Sequence, residues 1–170
     1  MSNKINFPYR IGFGLDVHRL EEGLPFWLGG VQVLHHKGAV GHSDADVLVH
    51  AICDAMLGAA NLRDIGYHFS DQDPEFKGID SKILLKRTLF IIREAGYGIA
   101  NIDSTISLQK PKIAPYITQM KEALSTVLDI DINNLSIKAT TTEKLGYEGR
   151  EEGVTAHAVV MLYRLDDFSR

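Results

Sequence analysis

The chain has 170 residues, 45% apolar and 24% charged, with a formal net charge of -4. That length is enough for one domain burying about 70% of its unfolded surface, and the composition excludes a disordered chain, a coiled coil or a fibrous repeat. With no cluster of Lys and Arg it is not built to hold a nucleic-acid backbone, and no apolar run reaches the roughly 18 residues of a membrane span.

Residues 1–10, MSNKINFPYR, have neither the apolar stretch of a secretion signal nor the Ser- and Arg-rich character of an organelle address. Cys53 is the only cysteine, so no internal disulfide forms and a reducing cytoplasm is the expected setting. It lies in VLVHAICDAMLGAA without a basic neighbour and reads as a small buried hydrophobe rather than a nucleophile.

In chain order, residues 9–18 (YRIGFGLDVH) read as a strand ending in polar side chains. Residues 25–34, with Gly29 and Gly30, read as a hairpin or bulged strand. HSDAD (42–46) supplies capping side chains, and Leu48, Ile52, Ala55, Met56 and Ala59 follow at helical spacing, predicting a helix near 45–60. A second helix is predicted over 80–95, with Ile83, Leu84, Leu89, Ile91 and Ile92 apolar and Gly96 as its stop. A strand at 99–108, a helix at 114–129, and strands at 135–142 and 153–165 complete the series. The expected fold is α+β, one domain over 1–170 with residues 1–8 frayed, a small mixed sheet carrying helices on one face. The last strand is apolar on both faces, with Val154, Ala156, Ala158, Val160 and Leu162 on one and Val159, Met161 and Tyr163 on the other. One face suits helices and the other a neighbouring subunit, so an oligomer is expected.

Asp16-Val17-His18 places a carboxylate and an imidazole at i and i+2, on one face of a strand. His50, one turn into the first helix, offers a third ligand. Two His and one Asp leave a fourth tetrahedral position for substrate, the plan of a functional zinc site; by spacing alone, a D-x-H tripeptide and a lone helical His are more often unrelated polar residues than ligands. Asp46 and Asp54, four residues either side of His50, are candidates to orient its ring, or else a cap and a solvated helix residue. His35 and His36 are expected in a solvated loop, and His68 and His157 have no ligand-like spacing.

The run 138–146, KATTTEKLG, gathers three hydroxyls, a carboxylate and two ammonium groups at a strand end. Hydroxyls and backbone N–H groups there can hold phosphate oxygens, with Glu143 on a bridging divalent ion; the alternative is a threonine-rich strand followed by a charged turn. Gly12-Phe13-Gly14 is not a dinucleotide loop, because Val17 stands where the third glycine belongs, and no phosphate-binding G-x-x-x-x-G-K-[ST] run occurs.

Together, GFGLDVH (12–18), HSDADVLVHA (42–51), DAMLGAA (54–60), DIG (64–66), DQDPEFKG (71–78), QKPKIAP (109–115) and KATTTEKLGYEGREEG (138–153) resemble the 2-C-methyl-D-erythritol 2,4-cyclodiphosphate synthase family. The resemblance spreads over nearly the whole chain. It implies a homotrimer with the sheet turned to the trimer axis, where an isoprenoid diphosphate could bind, and active sites between subunits. It implies a CMP-releasing cyclase acting on a cytidine diphosphate substrate in the non-mevalonate isoprenoid route.

By the same resemblance, Asp16, His18 and His50 are zinc ligands and Glu143 holds Mg²⁺ or Mn²⁺. His42 and Thr141 stabilise the transition state, and Ser43 touches substrate. Asp16, Val17, His18 and His42 also contact substrate. Asp64, Ile65 and Gly66, with Phe69, Ser70, Asp71, Gln72 and Asp73, form the floor for the methylerythritol part. Leu108, Gln109, Lys110, Pro111, Lys112, Ile113 and Ala114, with Thr140, Thr141, Thr142 and Glu143, form the cytidine diphosphate pocket, near Tyr147 and Arg150. Two positions depart from the family pattern: Ala45 stands where glycine is common and Ser70 where proline is common. From the residues alone, a zinc phosphoesterase and a non-catalytic trimer binding an isoprenoid or nucleotide remain open.

Overall fold

The computed structural model describes residues 7–166. Strand β1 runs Tyr9–Glu22, four residues beyond its expected end, so Asp16 and His18 stand within the strand and not at its tip. The extension exists because Leu20, Glu21 and Glu22 pair with β4 (Lys37–Ala39), a contact made across the intervening hairpin. That hairpin is β2 (Phe26–Leu28) and β3 (Val31–Val33), turned by Gly29 and Gly30 at φ 60 and 75. Helix α1 is Val47–Ala60, capped by Asp46, whose carboxylate accepts from Val49 N. A short α2 (Ile65–His68) and a 3₁₀ turn at Pro74–Phe76 lead to α3 (Ser81–Glu94). Strand β5 (Tyr97–Ser107) follows, then a 3₁₀ turn at Ala114–Tyr116 and α4 (Ile117–Leu128), β6 (Leu135–Thr140), α5 (Gly146–Gly149) and β7 (Gly153–Arg164).

The main sheet has the order β4-β1-β7-β5-β6, antiparallel throughout except for the parallel β5–β6 pair. The predicted mixed sheet is therefore present, but β6 ends at Thr140, leaving Thr141 and Thr142 in the following loop. Of the segment expected to fray, residues 1–6 lie outside the described residues, while the Pro8 carbonyl accepts from Arg164 N at 3.0 Å. Among the described residues, no helix is long and apolar enough to cross a membrane.

Helix α1 is buried nearly all round, as a helix apolar on every side must be, between β1 and β7 on one side and α3 on the other. Cys53 is buried inside it, and the loss of solvent pushes its thiol up to about 12, so it is inert as a nucleophile. Gly12 and Gly14 explain how α1 comes so close to β1. A Cβ built on either would stand 1.9 Å from a backbone carbonyl oxygen of the helix, Ala55 O or Ala51 O. The glycines that failed as a nucleotide loop are thus the seat of the helix.

The alternate residues of β1 face the other way. Ile11 is 71% and Phe13 61% exposed, with Leu15 and Val17 beside them and Val159 of β7 also open. The expected face of β7 formed by Val154, Ala156, Ala158, Val160 and Leu162 is fully buried. On α3, Leu84, Leu89 and Ile92 are buried as predicted and Leu85 joins them, but Ile83 is exposed because it points off the packed stripe. The predicted loop histidines differ from each other: His36 is exposed, while His35 is half-buried with its ring 4.3 Å from that of His36.

Two alanine substitutions separate close approach from helix propensity. Gly14→Ala should destabilise the fold by about 3 kcal/mol in urea unfolding, since the backbone it meets cannot move aside. Gly58→Ala, in the same α1 but with nothing within 4 Å, should instead stabilise by roughly 0.5–1 kcal/mol. Equal effects would rule out the seating role of Gly14.

Candidate active site

On β1, the face carrying Gly12 and Gly14 continues with Asp16 and His18, and the helix seated on those glycines brings His50 over them. Asp16 Oδ2 lies 2.9 Å from His18 Nε2 and 3.1 Å from His50 Nδ1, and the two ring nitrogens are 3.2 Å apart. Among the described residues, these three alone converge in a way that could hold a metal ion.

The outer ring atoms decide what the inner ones can be. His18 Nδ1 is 2.8 Å from the Val40 carbonyl, which only accepts, so Nδ1 carries hydrogen and a neutral ring presents a bare Nε2 inward. His50 Nε2 meets Ser81 Oγ at 3.0 Å and Ser43 Oγ at 3.1 Å, leaving Nδ1 as its inward atom. With both rings neutral, three electron-pair donors face one another at contact distance. Such an arrangement needs a proton or a cation at its centre, and the Asp-His-His set suits a divalent transition metal.

The electrostatics agree. Burial alone would raise the Asp16 carboxyl, but hydrogen bonds to His18 and His50 and their charges outweigh it and hold the group far below the usual carboxylate range. Burial likewise opposes a charged His18, but the Asp16 carboxylate and the Val40 carbonyl raise its pKa.

Neither acidic neighbour of His50 touches its ring. Asp46, wholly buried, accepts from Gly29 N at 2.9 Å, Gly30 N at 2.6 Å and Val49 N at 3.1 Å, tying the hairpin turn to the start of α1. Burial raises its pKa against those hydrogen bonds. Asp54 accepts from Ile65 N at 2.7 Å and so fastens α2 to α1. The capping alternative holds for Asp46; ring orientation falls to Ser81 and Ser43, which reach His50 from outside its own helix.

The cluster floors a cavity of about 500 Å³ lined also by Gly41, His42, Ser43, Ile65, Gly66, Phe69, Asp71, Phe76 and Leu84. His42 Nε2 lies 3.2 Å from the Asp73 carbonyl across its mouth. Asp64 caps α2 through Tyr67 N; Ser70 accepts from Gln72 N, and Asp73 from Glu75 N. Val17 is on the opposite, exposed face of β1 and does not line the cavity. Ala45 takes φ 59 with its side chain buried, so a conformation that favours glycine is held here by an alanine.

A second cavity of about 550 Å³ is lined by Leu108, Gln109, Lys110, Pro111, Lys112, Ile113, Ala114, Ala139, Thr140 and Thr141. Its two loops meet where Gln109 Oε1 accepts from Lys144 N at 3.2 Å. Thr141 donates to Glu143 at 2.7 Å, and Glu143 and Lys144 both take positive φ, turning the chain sharply after β6. Thr142 donates to the Leu145 carbonyl, Tyr147 meets Thr155 at 2.6 Å, and Arg150 pairs with both oxygens of Glu152. The two cavities share no lining residue, and β7 and β5 stand between β1 and β6, a separation of about 14 Å. Within one chain, the residues expected to act together therefore form two groups, and Glu143 stands apart from the Asp16 cluster.

Comparison with known proteins places this geometry. The family model described as the YgbB family matches residues 9–163. The 2-C-methyl-D-erythritol 2,4-cyclodiphosphate synthase of Porphyromonas gingivalis is 60% identical over 155 residues, 91% of this chain and 96% of its own. That of Cytophaga hutchinsonii is 58% identical over 91% of this chain and 98% of its own. Among solved structures, the bifunctional IspDF from Campylobacter jejuni matches 94% of this chain with a TM-score of 0.90 and 42% identity; the match spans 43% of that longer protein. A 2C-methyl-D-erythritol-2,4-cyclodiphosphate synthase in its CDP-bound form matches with a TM-score of 0.84 and 35% identity, over 90% of this chain and 99% of that one. With a strand and a helix that bring Asp16, His18 and His50 together, and with relatives this similar along almost their whole length, the chain belongs to the YgbB family.

Proposed function

We propose that this chain is a metal-dependent cyclase that converts 4-diphosphocytidyl-2-C-methyl-D-erythritol 2-phosphate into 2-C-methyl-D-erythritol 2,4-cyclodiphosphate and CMP, in isoprenoid biosynthesis in the cytoplasm. The observation that carries it is the inward-facing Asp16–His18–His50 set at the floor of a substrate-sized cavity, in a chain whose relatives bear that activity as their name. An oxygen of the 2-phosphate attacks the β-phosphorus, a new P–O bond closes the ring, and the bond from the β-phosphorus to the bridging oxygen breaks, so that CMP leaves with that oxygen.

The nucleophile is already an anion, so the protein has little general-base work to do; its task is alignment and neutralisation of charge. Asp16, His18 and His50 would hold one zinc per chain, which when bound supplies Lewis-acid polarisation of the β-phosphate. Glu143 would hold Mg²⁺ or Mn²⁺ against the other phosphate oxygens. His42 and Thr141 would stabilise the developing charge and Ser43 would contact substrate. Asp64, Ile65, Gly66 and residues 69–73 would cradle the methylerythritol part. Residues 108–114 and 140–143 would hold the cytidine diphosphate, with Tyr147 and Arg150 close by; the CDP-bound form of a structural relative supports a nucleotide ligand.

Because one chain keeps the two cavities apart, a complete site requires assembly. The exposed stripe of Ile11, Phe13, Leu15 and Val17 is the kind of surface that seeks burial against another copy, and a homotrimer would set the metal cavity of one subunit beside the nucleotide cavity of the next. An isoprenoid diphosphate is the proposed occupant of its axis.

Three measurements check these statements. Phosphorus NMR of the products from the cytidylated substrate should reveal the cyclic diphosphate and CMP; a hydrolysed ester would instead make the protein a phosphoesterase. Metal analysis should find about one zinc per chain, most of it lost in His18→Ala and in His50→Ala while the assembly persists; full retention in both would remove this site. Finally, His18→Ala and Ala114→Trp should each be nearly inactive alone. Refolded together at equal amounts, the mixed trimers should recover roughly a quarter of their sites, one half times one half. No recovery in verified mixed trimers would overturn the shared site.

A further inference from the structure

Ser81 opens α3, thirty-one residues beyond His50, and its side chain is wholly buried against the metal-ligating helix. Its hydroxyl is not needed to cap its own helix, because Asp80 already does so by accepting from Lys82 N at 2.9 Å. Instead it lies between two groups. One is the Asp44 carboxylate, which takes both the Ser81 hydroxyl and, at 3.0 Å, the Ser81 backbone N–H. The other is His50 Nε2, at 3.0 Å, with Ser43 Oγ, 3.3 Å from Ser81 Oγ, able to donate its own hydrogen to the same lone pairs.

The direction of each hydrogen bond follows from donor counting. A carboxylate only accepts, so the single hydroxyl hydrogen of Ser81 goes to Asp44. Ser81 Oγ then has only lone pairs left for His50, and Nε2 must carry the hydrogen. That puts the free electron pair of a neutral His50 on Nδ1, the atom facing Asp16 and His18. Ser43, which accepts from Ala45 N at 3.1 Å and stands 3.1 Å from the same Nε2, can share this hydrogen but has no carboxylate behind it.

We propose that Ser81, backed by Asp44, is a positioning residue of the metal centre: the chain His50 Nε2–H to Ser81 Oγ–H to the Asp44 carboxylate fixes which ring nitrogen His50 presents to a cation and holds the ring in that orientation. The inference rests on the metal-site reading above. The support is rigid, since Asp44 N donates to the Ile79 carbonyl at 3.0 Å and Gly78 N donates to the His42 carbonyl at 2.7 Å, fastening the 42–46 loop to the entry of α3. The hydroxyl also polarises the imidazole, because a donor bonded to a carboxylate is a better acceptor for the next hydrogen in line.

The test is Zn²⁺ affinity, measured by competition with a chromogenic chelator on apo-protein confirmed as folded by circular dichroism. Wild type should bind, Ser81→Ala should bind about 10–100-fold more weakly, and Ser81→Thr, which keeps the hydroxyl, should recover most of the loss. Loss of affinity in Ser81→Thr equal to that in Ser81→Ala would show that packing alone matters and would overturn the proposal. Ser81→Ala binding within about twofold of wild type overturns it as well. Wild type that takes up no Zn²⁺ would overturn the metal reading together with this inference, so the two failures are distinct. A measurement on the Zn²⁺-loaded wild type needs no variant: nitrogen-15 NMR of the His50 ring should find hydrogen on Nε2 and the metal on Nδ1, and the reverse assignment would refute the relay whatever the variants do.

Discussion

The contact between β1 and α1 governs the rest of the molecule. A helix axis normally stands off a sheet by the thickness of the side chains between them, but at Gly12 and Gly14 nothing intervenes, and the helix backbone descends onto the strand. Read along the same face of β1, the alternate residues are Gly12, Gly14, Asp16 and His18: two positions emptied so that the helix can approach, then two that meet what it carries. His50 reaches the pair because it leaves α1 one turn after the cap, where Asp46 holds both the helix start and the Gly29–Gly30 turn. The distance between backbone layers is thus set by an absence of side chains, and the ligand geometry follows from it.

Electrostatically, the centre is a concentration of lone pairs, because both imidazoles direct their N–H hydrogens outward. Val40 takes the outward hydrogen of His18, and Ser81 and Ser43 face the outward nitrogen of His50. Val40 and Ser43 come from the loop between β4 and α1 and Ser81 from the start of α3, so the site is assembled by convergence of several segments and not by one motif. The same convergence explains the two unexpected walls, Phe76 and Leu84, which bring apolar surface to a cavity whose floor is ionic.

Much of this was legible in the sequence, for identifiable reasons. Asp16 and His18 could be paired because period two is a property of any strand, and His50 because apolar residues at helical spacing announce its helix. The predicted helices over 45–60 and 80–95 lie within about two residues of α1 and α3, since Asp46 and Gly96 mark ends by local chemistry. What stayed hidden depends on distant contacts. The last residues of β1 are strand only because β4 comes back to pair with them, and Glu21-Glu22 alone would suggest a turn. The branched side chains of Thr141 and Thr142 suggest strand, but β6 loses its partner when β5 ends at Ser107. The spacing of four from His50 leaves Asp54 either as a candidate to orient the imidazole or as a solvated helix residue, and only the fold reveals that it accepts from a backbone N–H of a later segment. Ser81 gave no signal of its own, because its importance lies in Asp44 and His50, both far away in the chain.

Strand β1 also carries two messages in opposite phase. Its even positions hold the glycine seat and the ligands, while its odd positions hold Ile11, Phe13, Leu15 and Val17 on the outer face. Inserting or deleting one residue upstream of Asp16 while keeping the downstream pairing would exchange the two sets for part of the strand, presenting a phenyl ring to the helix backbone and sending glycines outward. No partial version of that error is tolerable, because a side chain cannot be accommodated where the helix rests. The strand is therefore a segment in which natural variation can proceed by substitution but not by change of length, and length variation has to be absorbed elsewhere, in turns such as the one that follows Glu22.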